Sequence, residues 1–300
     1  MRKMFLELAH RLEAGGSAVL ITVTDLRGSA PRGPGAMMAV FADGATLGTV
    51  GGGNLEYQAV AAAKTLKSDT IMTCVLTVGG DLQMACGGEA ELLLCRLGPE
   101  DAPLFRALVE ADGRGECKWL LLRLVDGKAA LRLADGPEAG WYALEAVRAG
   151  TVYLFGGGHV ACALAKVLTL TGFRVTVFDD RPEFADPARF PAGVRTVCGD
   201  FSQIISYVNL SSEDYAAVMT RGHEADTVVL RQLLGVPLRY LGCMGSRRKL
   251  ALCREQLFAE GFTETQWNAL HGPIGLAIGA QTPEEIAVAV AAELIAVRAG

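Results

Sequence analysis

The chain has 300 residues, 51% hydrophobic and 20% charged, with 36 glycines and a formal net charge of −5. That length fits two ordinary domains better than one, and the apolar and glycine contents describe an α/β protein with a large core and many tight turns. The negative balance excludes a general nucleic-acid binder, which needs a basic face for phosphates, and the apolar "IAVAVAAELIAVR", broken by Glu293, falls far short of a membrane span.

In chain order, "MRKMFLELAHRLEAGG" reads as an amphipathic helix over about 2–14 rather than a signal peptide, and a cytoplasmic location is expected. Strand "SAVLITVTD" leads through the turn-rich "LRGSAPRGPGA" to a hairpin over 37–50 around Asp43-Gly44. In "LGTVGGGNLEY", Gly51, Gly52 and Gly53 close that hairpin and open a helix over about 53–67. Strands near 70–78 and 89–96, a helix near 101–111 and a hairpin around Asp126-Gly127 complete a first domain, 1–135. Residues 136–150 are expected to bridge to a second domain, 151–300.

The second half alternates strand and helix: 151–155 with a helix to about Thr171, "FRVTVFDD", "GVRTVCGD", "DYAAVMTRGHEADTVVLRQLLG" and "PLRYLGCMGSRRKLALCREQLFAEG". This spacing means a Rossmann-like, doubly wound parallel sheet, beside a smaller N-terminal α/β domain containing hairpins. Thr282, Pro283 and Glu285 mark the start of a last helix with a capping box.

Gly156, Gly158 and Ala161 form G-x-G-x-x-A between strand and helix, and Asp179 ends the next strand. The glycines make the turn and admit a diphosphate, the helix N-terminus offers N–H groups and positive dipole, and Asp179 would accept from a ribose hydroxyl. His159 either contacts a ligand anion or caps the turn. Two further loops, "TRGHEAD" and "GCMGSRRK", emerge at the same strand ends and bring Arg221 and His223, and Ser246, Arg247, Arg248 and Lys249. Ser246 reads as an N-cap. Cations in the turn after it oppose the helix dipole, which suits an anion site, the alternative being a solvated basic face.

The first glycine run is no second dinucleotide fingerprint, because it ends a hairpin and no acid closes a following strand. Ser29 and Arg32 on one loop, with Gly51–Gly53 and Glu56 on the other, would enclose a polar anionic ligand; the alternative is a tight turn with a helix cap. None of the eight cysteines forms C-x-x-C, and most lie in apolar runs as small hydrophobes. Cys86, before two glycines in "MACGGEAEL", is the one placed for an activated thiolate.

Taken in order, "GSAPRGPGAMM", "GTVGGGNLE", "CGGEAEL", "FGGGHVA", "TRGHEAD", "YLGCMGSRRK" and "HGPIGLAIGAQTPEEIAVAVAAELIA" resemble the XdhC/CoxI family of xanthine dehydrogenase accessory factors. The likeness runs over about residues 15–298; Gly33 stands where the family carries a larger, often acidic residue. It implies a chaperone that binds the molybdenum cofactor (molybdopterin), holds it while a cysteine desulfurase replaces an oxo ligand by sulfur, and delivers it to a xanthine dehydrogenase-type molybdenum hydroxylase. It also implies Cys86 as a soft ligand near molybdenum, a homodimer, and the two glycine runs as opposite walls of one cleft. The competing reading is an NAD(P)-dependent oxidoreductase using the Rossmann half, with His223 or His271 as acid/base. A third is a protein-interaction module with a vestigial nucleotide fold.

Overall fold

The computed structural model describes residues 1–76 and 87–299, which divide into two compact units, Met1–Arg148 and Ala149–Gly300. In the first unit the elements run α1 (Arg2–Glu13), β1 (Ala18–Arg27), β2 (Met37–Phe41), β3 (Thr46–Gly48), α2 (Gly53–Lys64), β4 (Thr70–Leu76), β5 (Gly88–Leu97), α3 (Ala102–Arg114), β6 (Lys118–Val125), β7 (Lys128–Ala134) and β8 (Tyr142–Val147). Five strands form an antiparallel sheet in the order β3-β2-β1-β5-β4, and β7-β6-β8 form a second, smaller one.

Period-two alternation on β1 explains why the larger sheet is covered on both faces. Ala18 and Leu20 point into a core shared with α1, α3 and the small sheet. Ile21 and Val23 point into a second core under α2. Both expected hairpins form. At Asp126-Gly127 the two φ values are +50° and +71°, the pair of left-handed residues that matches the twist of a two-residue hairpin.

The expected linker over 136–150 is corrected by the structure. It contains β8, which pairs antiparallel with β6, and the first unit runs to Arg148. Trp141 sets this strand down, its ring facing the guanidinium of Arg123 at 4.5 Å and of Arg132 at 4.8 Å. Ala146 and Val147 then enter the core.

The second unit runs β9 (Val152–Phe155), α4 (His159–Leu170), β10 (Val175–Asp179), β11 (Arg195–Cys198), α5 (Ile204–Tyr207), β12 (Tyr215–Val218), α6 (His223–Leu233), β13 (Tyr240–Cys243), α7 (Arg247–Ala259), α8 (Glu264–Asn268), β14 (Leu270–His271) and α9 (Pro283–Ala299). Its parallel sheet has the order β11-β10-β9-β12-β13-β14, so chain direction across the sheet reverses between β9 and β12. Such a switch point opens a crevice at the C-terminal strand ends. α4 and α9 cover one face and α6 and α7 the other. The short sixth strand, β14, leaves no periodic signal in the sequence. Thr282 and Glu285 make the expected box at the start of α9. No helix among the described residues is long and apolar enough to cross a membrane.

Candidate functional site

In the first unit, three loops singled out by the sequence meet at one end of the larger sheet. A Cβ on Gly88 would lie 2.3 Å from the Ser29 carbonyl oxygen, and one on Gly51 would lie 3.1 Å from Cβ of Pro31. The loop bearing exposed Ser29 and Arg32 is therefore pressed between the Gly87-Gly88 turn and the glycine run. Gly52 and Gly53 face open space at the start of α2. Cys86 lies outside the described residues; its neighbour Gly87 donates its N–H to the Leu76 carbonyl at 2.7 Å.

Glu56 has a different job from the one expected. Its carboxylate accepts from Thr49 Oγ1 at 2.5 Å and from the Gly52 N–H at 3.1 Å, while Thr49 Oγ1 accepts from the Gly51 N–H at 3.1 Å. The acid is turned into its own loop as a clamp. A negative charge one turn into a helix also complements the dipole there.

In the second unit, Gly156 has φ +116°, and a Cβ there would lie 2.3 Å from the Met219 carbonyl oxygen. The turns after β9 and β12 thus touch at the switch point. Gly156→Ala combines forbidden φ with a backbone collision and is expected to cost roughly 2–4 kcal/mol of stability, read by denaturant melts; a cost below about 1 kcal/mol would contradict this contact. Gly158 caps α4 and faces open space, and His159 is the exposed first residue of that helix. His223 occupies the same position on α6, after Gly222.

Asp179, expected to meet a ribose, is fully buried with both oxygens in use. It accepts from the Gly157 N–H at 2.7 Å, from the Arg181 N–H at 3.1 Å, and from Arg181 Nε and Nη2 at 2.9 and 3.1 Å. Burial pushes its carboxyl up, but the Arg181 guanidinium and the two backbone N–H groups outweigh burial and hold it below the usual carboxylate range. Phe184 closes the position further: its carbonyl oxygen lies 2.2 Å from where a Cβ on Gly157 would be, and Arg181 and Arg189 sit over its ring at 3.5 and 4.6 Å. Arg221 is likewise engaged, as a bidentate partner of Asp180 at 2.8 and 2.9 Å.

At the next strand end Ser246 caps α7 as expected, accepting from the Lys249 N–H at 3.2 Å. Arg247 and Arg248 are exposed in the first turn, with no ion pair to either among the described residues. Lys249 turns inward. Its Nζ donates to the Met244 carbonyl at 3.1 Å and pairs with Asp226, which also accepts from Thr220 N–H and Oγ1 at 3.0 and 2.5 Å. This buried link ties the β12–α6 turn to the β13–α7 turn.

Two family profiles match the chain, one described as the XdhC Rossmann domain over residues 152–294 and one as the XdhC and CoxI family over residues 11–78. The chain belongs to the XdhC and CoxI family. Among its relatives, an uncharacterized protein YqeB of Escherichia coli is 27% identical over 98% of this chain, which spans only 46% of that protein. A probable xanthine dehydrogenase component of Bacillus subtilis is 25% identical over 96% of this chain and 95% of its own length. The molybdenum cofactor insertion chaperone PaoD of E. coli is 27% identical over 96% of this chain and 85% of its own. A crystal structure of a xanthine dehydrogenase from Bacillus halodurans superposes with a TM-score of 0.86 at 22% identity, covering 99% of this chain and 95% of that one, a likeness of fold.

Within this XdhC-type chain, sequence reading missed Arg181, Phe184, Arg189 and Asp226, and it grouped Lys249 with Arg247 and Arg248 as an anion-holding cation, whereas Lys249 turns inward to Asp226. Asp226 left a signal, since it shares the buried stripe of α6 with Val229, Leu230 and Leu233, where a charge needs a partner. The described cysteines are poor nucleophiles where a shift is resolved: burial pushes Cys74 up to about 11 and Cys95 up to about 12, and raises Cys243 and Cys253 as well. Among the described residues no group of three His, Cys, Asp or Glu side chains is placed to hold a metal ion.

Proposed function

We propose that this chain is a chaperone for the molybdenum cofactor, binding the pterin by its phosphate, holding it during sulfuration by a cysteine desulfurase, and delivering it to a xanthine dehydrogenase-type molybdenum hydroxylase. One observation carries the reading. The C-terminal edge of the parallel sheet keeps exposed cations, Arg247 and Arg248, while the carboxylate that would select a ribose is sealed by Arg181 and Gly157. Such an edge suits a phosphate and disfavours NAD(P). The relation to PaoD, named a molybdenum cofactor insertion chaperone, supports the same reading.

The donor set fits the group. Ser246 places the α7 N-terminus, Arg247 and Arg248 supply positive charge, and Gly158 leaves the α4 N-terminus clear for an anion beside His159. His223 stands at the start of α6. Within the first unit, Ser29, Arg32 and Gly51–Gly53 form a polar loop set of their own, and the sequence places Cys86 next to that loop set as a soft ligand. When bound, the cofactor supplies the molybdenum centre on which the client enzyme's chemistry runs. The chain's own residues bind and shield it.

The test is an anaerobic titration of isolated cofactor onto wild type, Arg247→Ala/Arg248→Ala and Cys86→Ala. Losing the two arginines is expected to weaken binding about tenfold or more, as loss of charge-assisted contacts does, and to flatten its salt dependence. Losing the thiol is expected to lower retained molybdenum while inorganic phosphate still competes. Affinity and salt dependence unchanged by the double substitution would overturn the phosphate assignment.

A further inference from the structure

The larger sheet of the first unit has a second polar end, opposite the loops of Ser29, Gly51 and Gly88. There the start of β1 and the ends of β2 and β5 meet the last turn of α2 and the start of β7 around a cleft of about 1040 Å³, the size of a small-molecule site. The ten residues of β1 separate this cleft from the Ser29 loop by about 30 Å.

Its floor is aliphatic, with Val19, Leu66 and Leu131 each half-buried in the lining. The charges around that floor are not equally free. Asp43 is held by the Arg11 guanidinium at 2.7 Å and accepts from the Ala45 N–H at 2.9 Å. Asp69 accepts from the Arg96 and Ala129 N–H groups at 2.7 and 2.8 Å and lies 3.5 Å from the Arg96 guanidinium. Asp101 accepts from the Gly98 N–H at 2.9 Å, and the Glu100 carboxylate folds back against Gly98, its Oε2 2.5 Å from where a Cβ would lie. The lining acids are thus turned onto the chain itself. Two cations are not. Lys64 ends α2 and Lys128 starts β7, both exposed on different walls, with no hydrogen bond or ion pair to either ammonium among the described residues.

An aliphatic floor beside two unpaired ammonium groups suits an apolar body carrying an anionic head. A nucleotide is a poorer occupant. Phe41, the one aromatic side chain in the lining, is buried and has the Arg11 guanidinium over its ring at 4.3 Å, so no face is left to stack a base.

We infer that this cleft is a binding site for an amphipathic carboxylate of the fatty-acid class, its head drawn to Lys64 and Lys128 and its chain laid on Val19, Leu66 and Leu131. The site is independent of the cofactor reading, because it uses none of the residues assigned to phosphate or metal.

The test is equilibrium dialysis of labelled decanoate onto the full chain, with lysine acetylation read by mass spectrometry on the same samples. Wild type is expected to hold about one decanoate per chain, and bound decanoate to slow acetylation of Lys64 and Lys128 while exposed Lys166 reacts as before. Lys64→Glu/Lys128→Glu is expected to weaken binding about tenfold at low salt, an effect that shrinks as salt screens the charges. Leu66→Ala is expected to weaken it several-fold without changing the salt dependence. Arg247→Ala/Arg248→Ala is expected to leave it unchanged, which keeps this result separate from the phosphate assignment. Should a charged variant fail to fold, the acetylation pattern of wild type still decides. No decanoate retained at millimolar concentration, equal binding by the double glutamate variant, Lys64 and Lys128 no better protected than Lys166, or displacement by AMP as readily as by octanoate would overturn the assignment.

Discussion

Asp179→Ala is expected to cost the second unit about 3 kcal/mol, the lower end for breaking a buried pair because Arg181 keeps 28% of its side chain exposed. Four donor contacts end on this carboxylate, and its loss leaves the Gly157 N–H and a guanidinium without their acceptor. For a unit of this size the melting temperature should fall by roughly 10 °C. The pH dependence has a definite sign. Asp179 titrates lower folded than unfolded, so its contribution is present above the unfolded carboxylate value, near about 4, and is lost as pH falls through the folded value. Thermal melts of wild type and variant from about pH 7 down to about pH 3 check this. Wild type should lose stability more steeply on acidification than Asp179→Ala; parallel curves would mean that the carboxylate is not ionised in the folded chain.

The second large effect concerns Asp226 and Lys249. Asp226 is fully buried and Lys249 is 23% exposed, so either partner alone is an uncompensated charge beneath the sheet edge. Asp226→Ala and Lys249→Met are each expected to destabilise by about 3–5 kcal/mol, and the double variant Asp226→Leu/Lys249→Met to recover much of that. A coupling above about 2 kcal/mol in denaturant unfolding is the expected result. Additive single effects below about 1 kcal/mol would contradict a buried ion pair. The link joins the turn carrying His223 to the one carrying Arg247 and Arg248, so both single variants should also weaken cofactor binding.

Local rules carried much of the second unit. The strand–glycine–helix pattern at 152–170, the Ser246 cap and the Thr282 box are decided by residues a few positions apart, and all three form. So does the left-handed pair at Asp126-Gly127. What sequence spacing does not encode is which donor reaches a given carboxylate. Asp179 ends its strand as a ribose-binding acid should, but Arg181 two residues on folds back and claims it. Arg221 meets Asp180 across 41 residues, and Glu56 is drawn into its own loop by Thr49. β8 was hidden for a similar reason: its anchor, Trp141, depends on arginines of β6 and β7.

The most direct test of the central claim is anaerobic incubation of the wild-type chain with molybdenum cofactor, removal of free ligand by filtration, and assay of retained molybdenum and pterin beside a parallel NAD titration. The proposed function predicts molybdenum and pterin held together at close to one per chain, with no comparable NAD binding. Absence of both, with NAD bound at micromolar concentration, would contradict it and return the chain to the oxidoreductase reading.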